Sequence, residues 1–138
     1  GTRMARLRHI AIVVRDLDAM TEFYKSVFEL EFVGSETIGT GTANYLTDGV
    51  VNLALLYFTD KTGEELDRMA GLNHFGVQVD DVAEYERRVE AAGGKFFFEL
   101  AGSKQGNSER KYKDPEGVVF DISAHGWVGT DGRVETEE

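Results

Sequence analysis

The stretch Arg8-His9-Ile10-Ala11-Ile12-Val13-Val14-Arg15-Asp16-Leu17 is echoed by Asn73-His74-Phe75-Gly76-Val77-Gln78-Val79-Asp80-Asp81-Val82. His9 and His74, like Asp16 and Asp81, stand 65 residues apart. Each copy is an apolar run with a histidine near its start and an aspartate at its end that suits a helix cap. A repeat of this size is one supersecondary unit used twice. So small a unit buries little surface alone, so the two must pack on each other or exchange with a partner chain. Any fold for this chain therefore sets two equivalent strands, each with one histidine, in related places.

Residues 1–5 read as an N-terminal extension, in which Gly1-Thr2-Arg3 ahead of Met4 has the look of an expression scar. Residues 6–58 hold the first unit. Within it, 7–14 read as a buried strand, and Asp16 caps a helix that carries Met20, Phe23, Tyr24 and Val27 at helical spacing and ends near Glu29. A second strand begins at 31–34, residues 35–42 read as a polar, glycine-rich turn, and 43–47 as a third strand. Asp48-Gly49 is a hairpin signal before a fourth strand at 50–58. Residues 59–71 form a polar linker with a helical turn or two.

The second unit, 72–125, repeats that order. A strand at 73–79 precedes a helix capped by Asp80 or Asp81, which buries Val82, Tyr85, Val89 and Ala92 and stops at Gly93-Gly94. Then come a strand at 95–100, a small-residue loop at 101–108, a strand at 109–113, the turn Asp114-Pro115-Glu116-Gly117 and a last strand at 118–123. Residues 126–138 are a tail with weak structural signals. Each unit is thus β-α-β-β-β, and the fold class is α+β.

Composition excludes several functions. Fifteen basic against 25 acidic residues give a formal charge of −10, the wrong sign for a protein that tracks nucleic-acid phosphates. The absence of cysteine removes disulfides, thiolate metal sites and a cysteine nucleophile, so any metal must be held by His, Asp or Glu. No apolar run reaches membrane-spanning length and no signal peptide is visible, so the expected location is cytoplasmic.

Strand alternation sorts the side chains into faces. Ile10, Ile12 and Val14 share one face of the first strand, as Phe75, Val77 and Val79 do in its echo; these bulky faces should lie under the helices. His9, Ala11 and Val13, and His74, Gly76 and Gln78, form smaller, partly polar faces suited to a ligand cavity. In the fourth strand Asn52, Ala54 and Leu56 join that side; in the last strand Val119, Asp121 and Ser123 do. A carboxylate between Phe120 and Ile122 is costly unless paired. Two histidines and one carboxylate with open positions suit a divalent ion, and a facial set of this kind is used by non-haem Fe(II) oxygenases. A buried polar network among His9, His74 and Asp121 is the structural alternative.

Two β-α-β-β-β units, a histidine on each first strand and the Asp-Pro-Glu-Gly turn before the last strand resemble the vicinal oxygen chelate superfamily of glyoxalase I, methylmalonyl-CoA epimerase, extradiol dioxygenases and bleomycin-resistance proteins. The resemblance covers roughly residues 6–125. It implies two tandem units forming curved mixed sheets around a metal-binding cup, and commonly a homodimer. It places the ligands at His9, residue 54, His74 and Asp121. Glyoxalases and epimerases usually have Glu or Gln at the second of these positions and Glu at the fourth; here the second is Ala54, with Asn52 two residues away on the same face, and the fourth is the shorter Asp121. The missing carboxylate at Ala54 favours dioxygenase-like chemistry on a vicinal-oxygen, catechol-like substrate, with Fe²⁺ or Mn²⁺. The alternatives are a glyoxalase- or epimerase-like lyase or isomerase with Zn²⁺, Ni²⁺ or Co²⁺, and a metal-free protein that sequesters an antibiotic. The partner in every case is a small molecule. His125 is a candidate acid or base, and Tyr45, Asn52, Gln78, Arg110 and Tyr112 are candidate substrate contacts.

Overall fold

The structure, a computed structural model, describes residues 5–100 and 109–125. The first unit comprises β1 (Ala5–Val13), α1 (Leu17–Phe28), β2 (Glu31–Ile38), β3 (Gly41–Thr47) and β4 (Asn52–Phe58). A short helix, α2 (Gly63–Met69), occupies the linker. The second unit comprises β5 (Gly71–Val79), α3 (Val82–Ala91), β6 (Lys95–Leu100), β7 (Glu109–Lys113) and β8 (Val119–Ser123). The loop expected at 101–108 and the tail at 126–138 lie outside the described residues.

The eight strands of the described residues form one mixed sheet in the order β2-β3-β4-β1-β5-β8-β7-β6. The order is a palindrome of units: β1 pairs parallel with β4, β5 pairs parallel with β8, and β1 and β5 join antiparallel at the centre. The repeat is therefore a pseudo-two-fold whose axis passes between the two histidine strands.

The helix caps are as the sequence implies. Asp16 Oδ1 accepts the Ala19 N–H at 3.0 Å, and Asp81 Oδ1 accepts the Glu84 N–H at 3.1 Å. A cap of this kind contributes about 1 kcal/mol. Beneath α1, Ile12, Val14, Leu46, Leu53 and Leu55 pack with Leu17, Met20 and Tyr24. Beneath α3, Val77, Val79, Tyr112 and Ile122 pack with Val82, Tyr85 and Val89. Some residues expected to be buried are exposed, Leu7 at the start of β1 among them. Ala92 is exposed, because it is the C-cap and α3 has already ended. Ile10 is 37% exposed, because it pairs with Phe75 at the sheet centre, between the territories of the two helices.

The largest difference lies at residues 35–42. They are not a turn: β2 runs on to Ile38 and pairs with β3 around a tight corner at Gly39, whose φ is 60°. Ser35, Glu36 and Thr37 sit in the outermost strand of the sheet, where one edge meets solvent and polar residues are tolerated. The second signal, Asp48-Gly49, closes a four-residue rather than a two-residue loop. Thr47 pairs with Asn52, and Asp48 Oδ1 accepts from the Val50 and Val51 N–H groups.

The central seam has two irregularities. Leu7 faces Val77 but His9 faces Gly76, so Arg8 is an extra residue in β1. Ala11 faces His74 but Ile12 faces Leu72, so Asn73 is an extra residue in β5. Arg8 and Asn73 are repeat equivalents. A bulge re-aims its residue, and each here turns its side chain toward the histidine that follows it. Among the described residues no helix is long and apolar enough to cross a membrane.

Candidate metal centre

The concave side of the sheet encloses a cavity of about 390 Å³. Its floor is small and apolar, with Ala11, Ala43 and Ala54; Phe58, Phe97 and Phe98 line it further out. The polar groups include His9, Glu36, Tyr45, His74, Glu109 and Lys111. Phe97 and Phe98, which regular strand alternation would set on opposite faces, both reach the cavity because a bulge between Phe96 and Phe98 breaks the alternation of β6.

His9, His74 and Asp121 offer ligand atoms within 4.8 Å of one another. The strands dictate this. Gly76 pairs with His9 on one side and with Asp121 on the other, and Ala11 pairs with His74. Gly76 is the residue that makes room: a Cβ there would overlap the His9 ring and stand 2.5 Å from Asp121 Oδ1. Asp121 Oδ2 lies 3.4 Å from His9 Nε2 and 3.3 Å from His74 Nε2, while Oδ1 is buried without a hydrogen-bond partner.

The two histidines are held differently. His74 Nδ1–H donates to Asn73 Oδ1 at 2.6 Å, which leaves Nε2 as a bare lone pair aimed at the cup. Burial, then Lys111 and His9, hold its pKa below the ordinary 6.5, against the pull of Asp121, so the ring is neutral. His9 meets the Arg8 guanidinium at Nδ1, 3.5 Å away. Arginine can only donate, so Nδ1 accepts and Nε2–H points at Asp121.

A bare imidazole nitrogen and a carboxylate oxygen 3.3 Å apart repel unless a cation lies between them. The Lys111 ammonium fills that role. Its Nζ is 2.9 Å from Asp121 Oδ2, 3.4 Å from His74 Nε2 and 3.2 Å from Glu109 Oε1. Burial opposes its charge, but Glu109 and Asp121 raise its pKa above the ordinary lysine value. Burial likewise opposes the Asp121 charge, yet His9 and Lys111 hold that carboxyl far below the usual range. Glu109 is anchored from behind by Arg8 Nη1 at 2.8 Å, and Arg8 Nε donates to the His125 carbonyl at 2.7 Å. Arg8, Glu109, Lys111 and Asp121 thus form one buried ladder of alternating charge.

On the far wall, Glu36 Oε1 accepts the Tyr45 O–H at 2.6 Å, and Glu36 Oε2 is buried without a hydrogen-bond partner. Burial, followed by the Glu36 hydrogen bond and charge, pushes the Tyr45 phenol well above its ordinary pKa, so it remains a donor.

The donor atoms fit a divalent ion in kind, and the orphaned Asp121 Oδ1 is a carboxylate oxygen available to ligate it. The ion would take the place of the His9 proton and the Lys111 contact. Ala54 lines the cavity and offers no ligand; Asn52 pairs with His9 in the β1–β4 register and is buried, but is not part of the cavity lining. Tyr45 lines the cup. Arg110 and Tyr112 do not: Tyr112 is buried under α3, and Arg110 bonds to its hydroxyl and to Glu86 and Glu99. Gln78 pairs with Ser123, two rungs beyond Gly76 and Asp121, outside the lining. The His125 ring is also outside it, and that residue serves through its carbonyl. The residues missed in sequence are Glu36, Glu109 and Lys111. For Lys111 a signal existed. The Asp-Pro-Glu-Gly turn pairs Lys113 with Val119, which sets Lys111 opposite Asp121 and on its face.

A model of the Glyoxalase/Bleomycin resistance protein/Dioxygenase superfamily matches residues 6–122. A probable chloroplastic lactoylglutathione lyase of Arabidopsis thaliana is 31% identical over 130 residues, covering 88% of this chain and 36% of that protein, so the chain spans about a third of its length. The fosfomycin resistance protein FosX of Listeria innocua is 26% identical over 120 residues, covering 86% of this chain and 88% of that one. A structure of Streptomyces coelicolor methylmalonyl-CoA epimerase superimposes with a TM-score of 0.72 at 21% identity, covering 87% of this chain and 96% of the other, a likeness of fold.

Proposed function

The chain belongs to the Glyoxalase/Bleomycin resistance protein/Dioxygenase superfamily, and from that premise we propose that it is a divalent-metal enzyme of the isomerase or lyase kind, moving a proton at a carbon beside the vicinal oxygens of a small substrate. Glu36 is the observation that carries this assignment. The absence of a carboxylate at Ala54 argues for dioxygenase chemistry only while no other base faces that side, and Glu36 is such a base. It reaches the cup from β2, one oxygen fixed by Tyr45 and the other buried without a hydrogen-bond partner.

His9, His74 and Asp121 would hold the ion. When bound, it supplies a Lewis acid for the substrate's oxygens. Glu36 accepts the proton from the substrate carbon at Oε2, and Tyr45 keeps that carboxylate oriented through the transfer. Lys111 presents a cation to developing negative charge on oxygen. Phe58, Phe97 and Phe98 give the outer cup apolar walls.

Ring cleavage of a catechol-like substrate is the second assignment, favoured by the two-histidine, one-carboxylate set with Ala54 beside it. The names of the relatives suggest the first substrates to try: lactoylglutathione, methylmalonyl-CoA and fosfomycin. Protein loaded with Mn²⁺, Ni²⁺ or Zn²⁺ should exchange substrate hydrogen for solvent deuterium by NMR, or open the fosfomycin epoxide by adding a water that Glu36 deprotonates. Glu36→Gln should slow this about a hundredfold or more with metal content unchanged. Oxygen consumption on catechols that survives Glu36→Gln would instead establish the second assignment.

A further inference from the structure

The charge ladder around the candidate centre is already balanced. Arg8 answers Glu109, and Lys111 answers Asp121, all four being buried. A divalent ion entering here finds one further carboxylate in the cavity lining, Glu36, and that lies on the far wall. The ion must also displace the Lys111 ammonium from Asp121 Oδ2 and His74 Nε2. Lys111 need not leave the cup to yield. Its second carboxylate, Glu109, is fixed by Arg8, and Arg8 is fixed by the His125 carbonyl. The retracted ammonium would remain on Glu109 with donor capacity turned toward the cavity, beside a newly added double charge. Both cations then call for an anion in the space between them.

We propose that Lys111 makes ion binding and anion binding a single event: the centre holds a divalent ion firmly only together with a small anion that sits between the ion and the Lys111 ammonium. This rests on His9, His74 and Asp121 being the ligands. The coupling is reciprocal, since an anion that improves ion binding is itself bound better by the ion-loaded protein.

Mn²⁺ and oxalate test it without any turnover. Bound Mn²⁺ is followed by electron paramagnetic resonance with and without oxalate, with a protein-free control for the Mn²⁺–oxalate complex. Oxalate should tighten Mn²⁺ binding to the wild type roughly tenfold or more. Lys111→Met should bind Mn²⁺ about tenfold or more tighter than wild type without oxalate, and oxalate should add little further. Wild-type affinity that oxalate leaves unchanged overturns the coupling while leaving the metal centre intact, and this arm needs no variant. A Lys111→Met protein that binds Mn²⁺ no better than wild type removes Lys111 from the role. Failure of both proteins to bind Mn²⁺, with or without oxalate, overturns the centre and the coupling together.

Discussion

Gly76→Ala adds one methyl group at the point where three strands meet. Gly76 pairs with His9 across the seam and with Asp121 in β8. The new carbon would stand 2.5 Å from Asp121 Oδ1, against the 3.4 Å at which ordinary contacts begin, and nearer still to the His9 ring. Both partners must therefore move by about an ångström. Neither has room: His9 is 1% and Asp121 0% exposed. Overpacking of this kind costs about 1–3 kcal/mol, which urea denaturation reads as a lowered midpoint at unchanged slope. The loss in metal binding should be larger in proportion. Shifting the support of a ligand set costs about 10–100-fold in affinity, and here two ligands shift at once. Titration with Mn²⁺ in the presence of oxalate measures this directly. A Gly76→Ala protein with wild-type stability and wild-type Mn²⁺ affinity would refute the placement of His9 and Asp121 around this glycine.

Two further outcomes follow from the buried charges. Arg8→Met leaves Glu109 without its 2.8 Å partner and should cost about 3–5 kcal/mol; Arg8→Met with Glu109→Met should recover most of it, as judged by a double-mutant cycle in urea. His74 has a folded pKa below its ordinary 6.5, so the unfolded chain takes up the proton first as pH falls. Its contribution is then present above about pH 6.5 and lost as pH drops toward the folded pKa. The difference in melting temperature between metal-free wild type and His74→Gln should shrink over that window, and a difference independent of pH would rule this out.

The sequence carries some of this directly. His9, His74 and Asp121 converge because strand parity is local information, and parity survives folding wherever a strand is regular. Where a bulge intervenes, parity misleads: Phe97 and Phe98 share the cup, and Arg8 is buried on the side of His9. Arg110 and Tyr112 were natural substrate contacts by residue type, but an aromatic residue opposite Phe120 belongs to the core beneath α3. Glu36 was hidden for another reason. Polar residues in an outermost strand pay no burial penalty on their open edge, so their composition resembles a turn and the strand goes unseen. Lys111 was within reach, since the turn before β8 fixes its register.

The two extra residues at the seam have a consequence for how this protein can change. Arg8 inserts a phase slip in β1, and Asn73, its twin in β5, inserts the opposite one three rungs later. The slips cancel. Pairing is in one register at both ends of the seam and displaced by one residue only between them, where His9, Ala11, His74 and Gly76 lie. Duplication supplies this automatically: two copies of one irregular strand, laid antiparallel about a two-fold, bring an error and its correction together. The outer sheet and its helices are therefore insulated from the window that holds the chemistry, and the site can be rewritten while the scaffold stays in step.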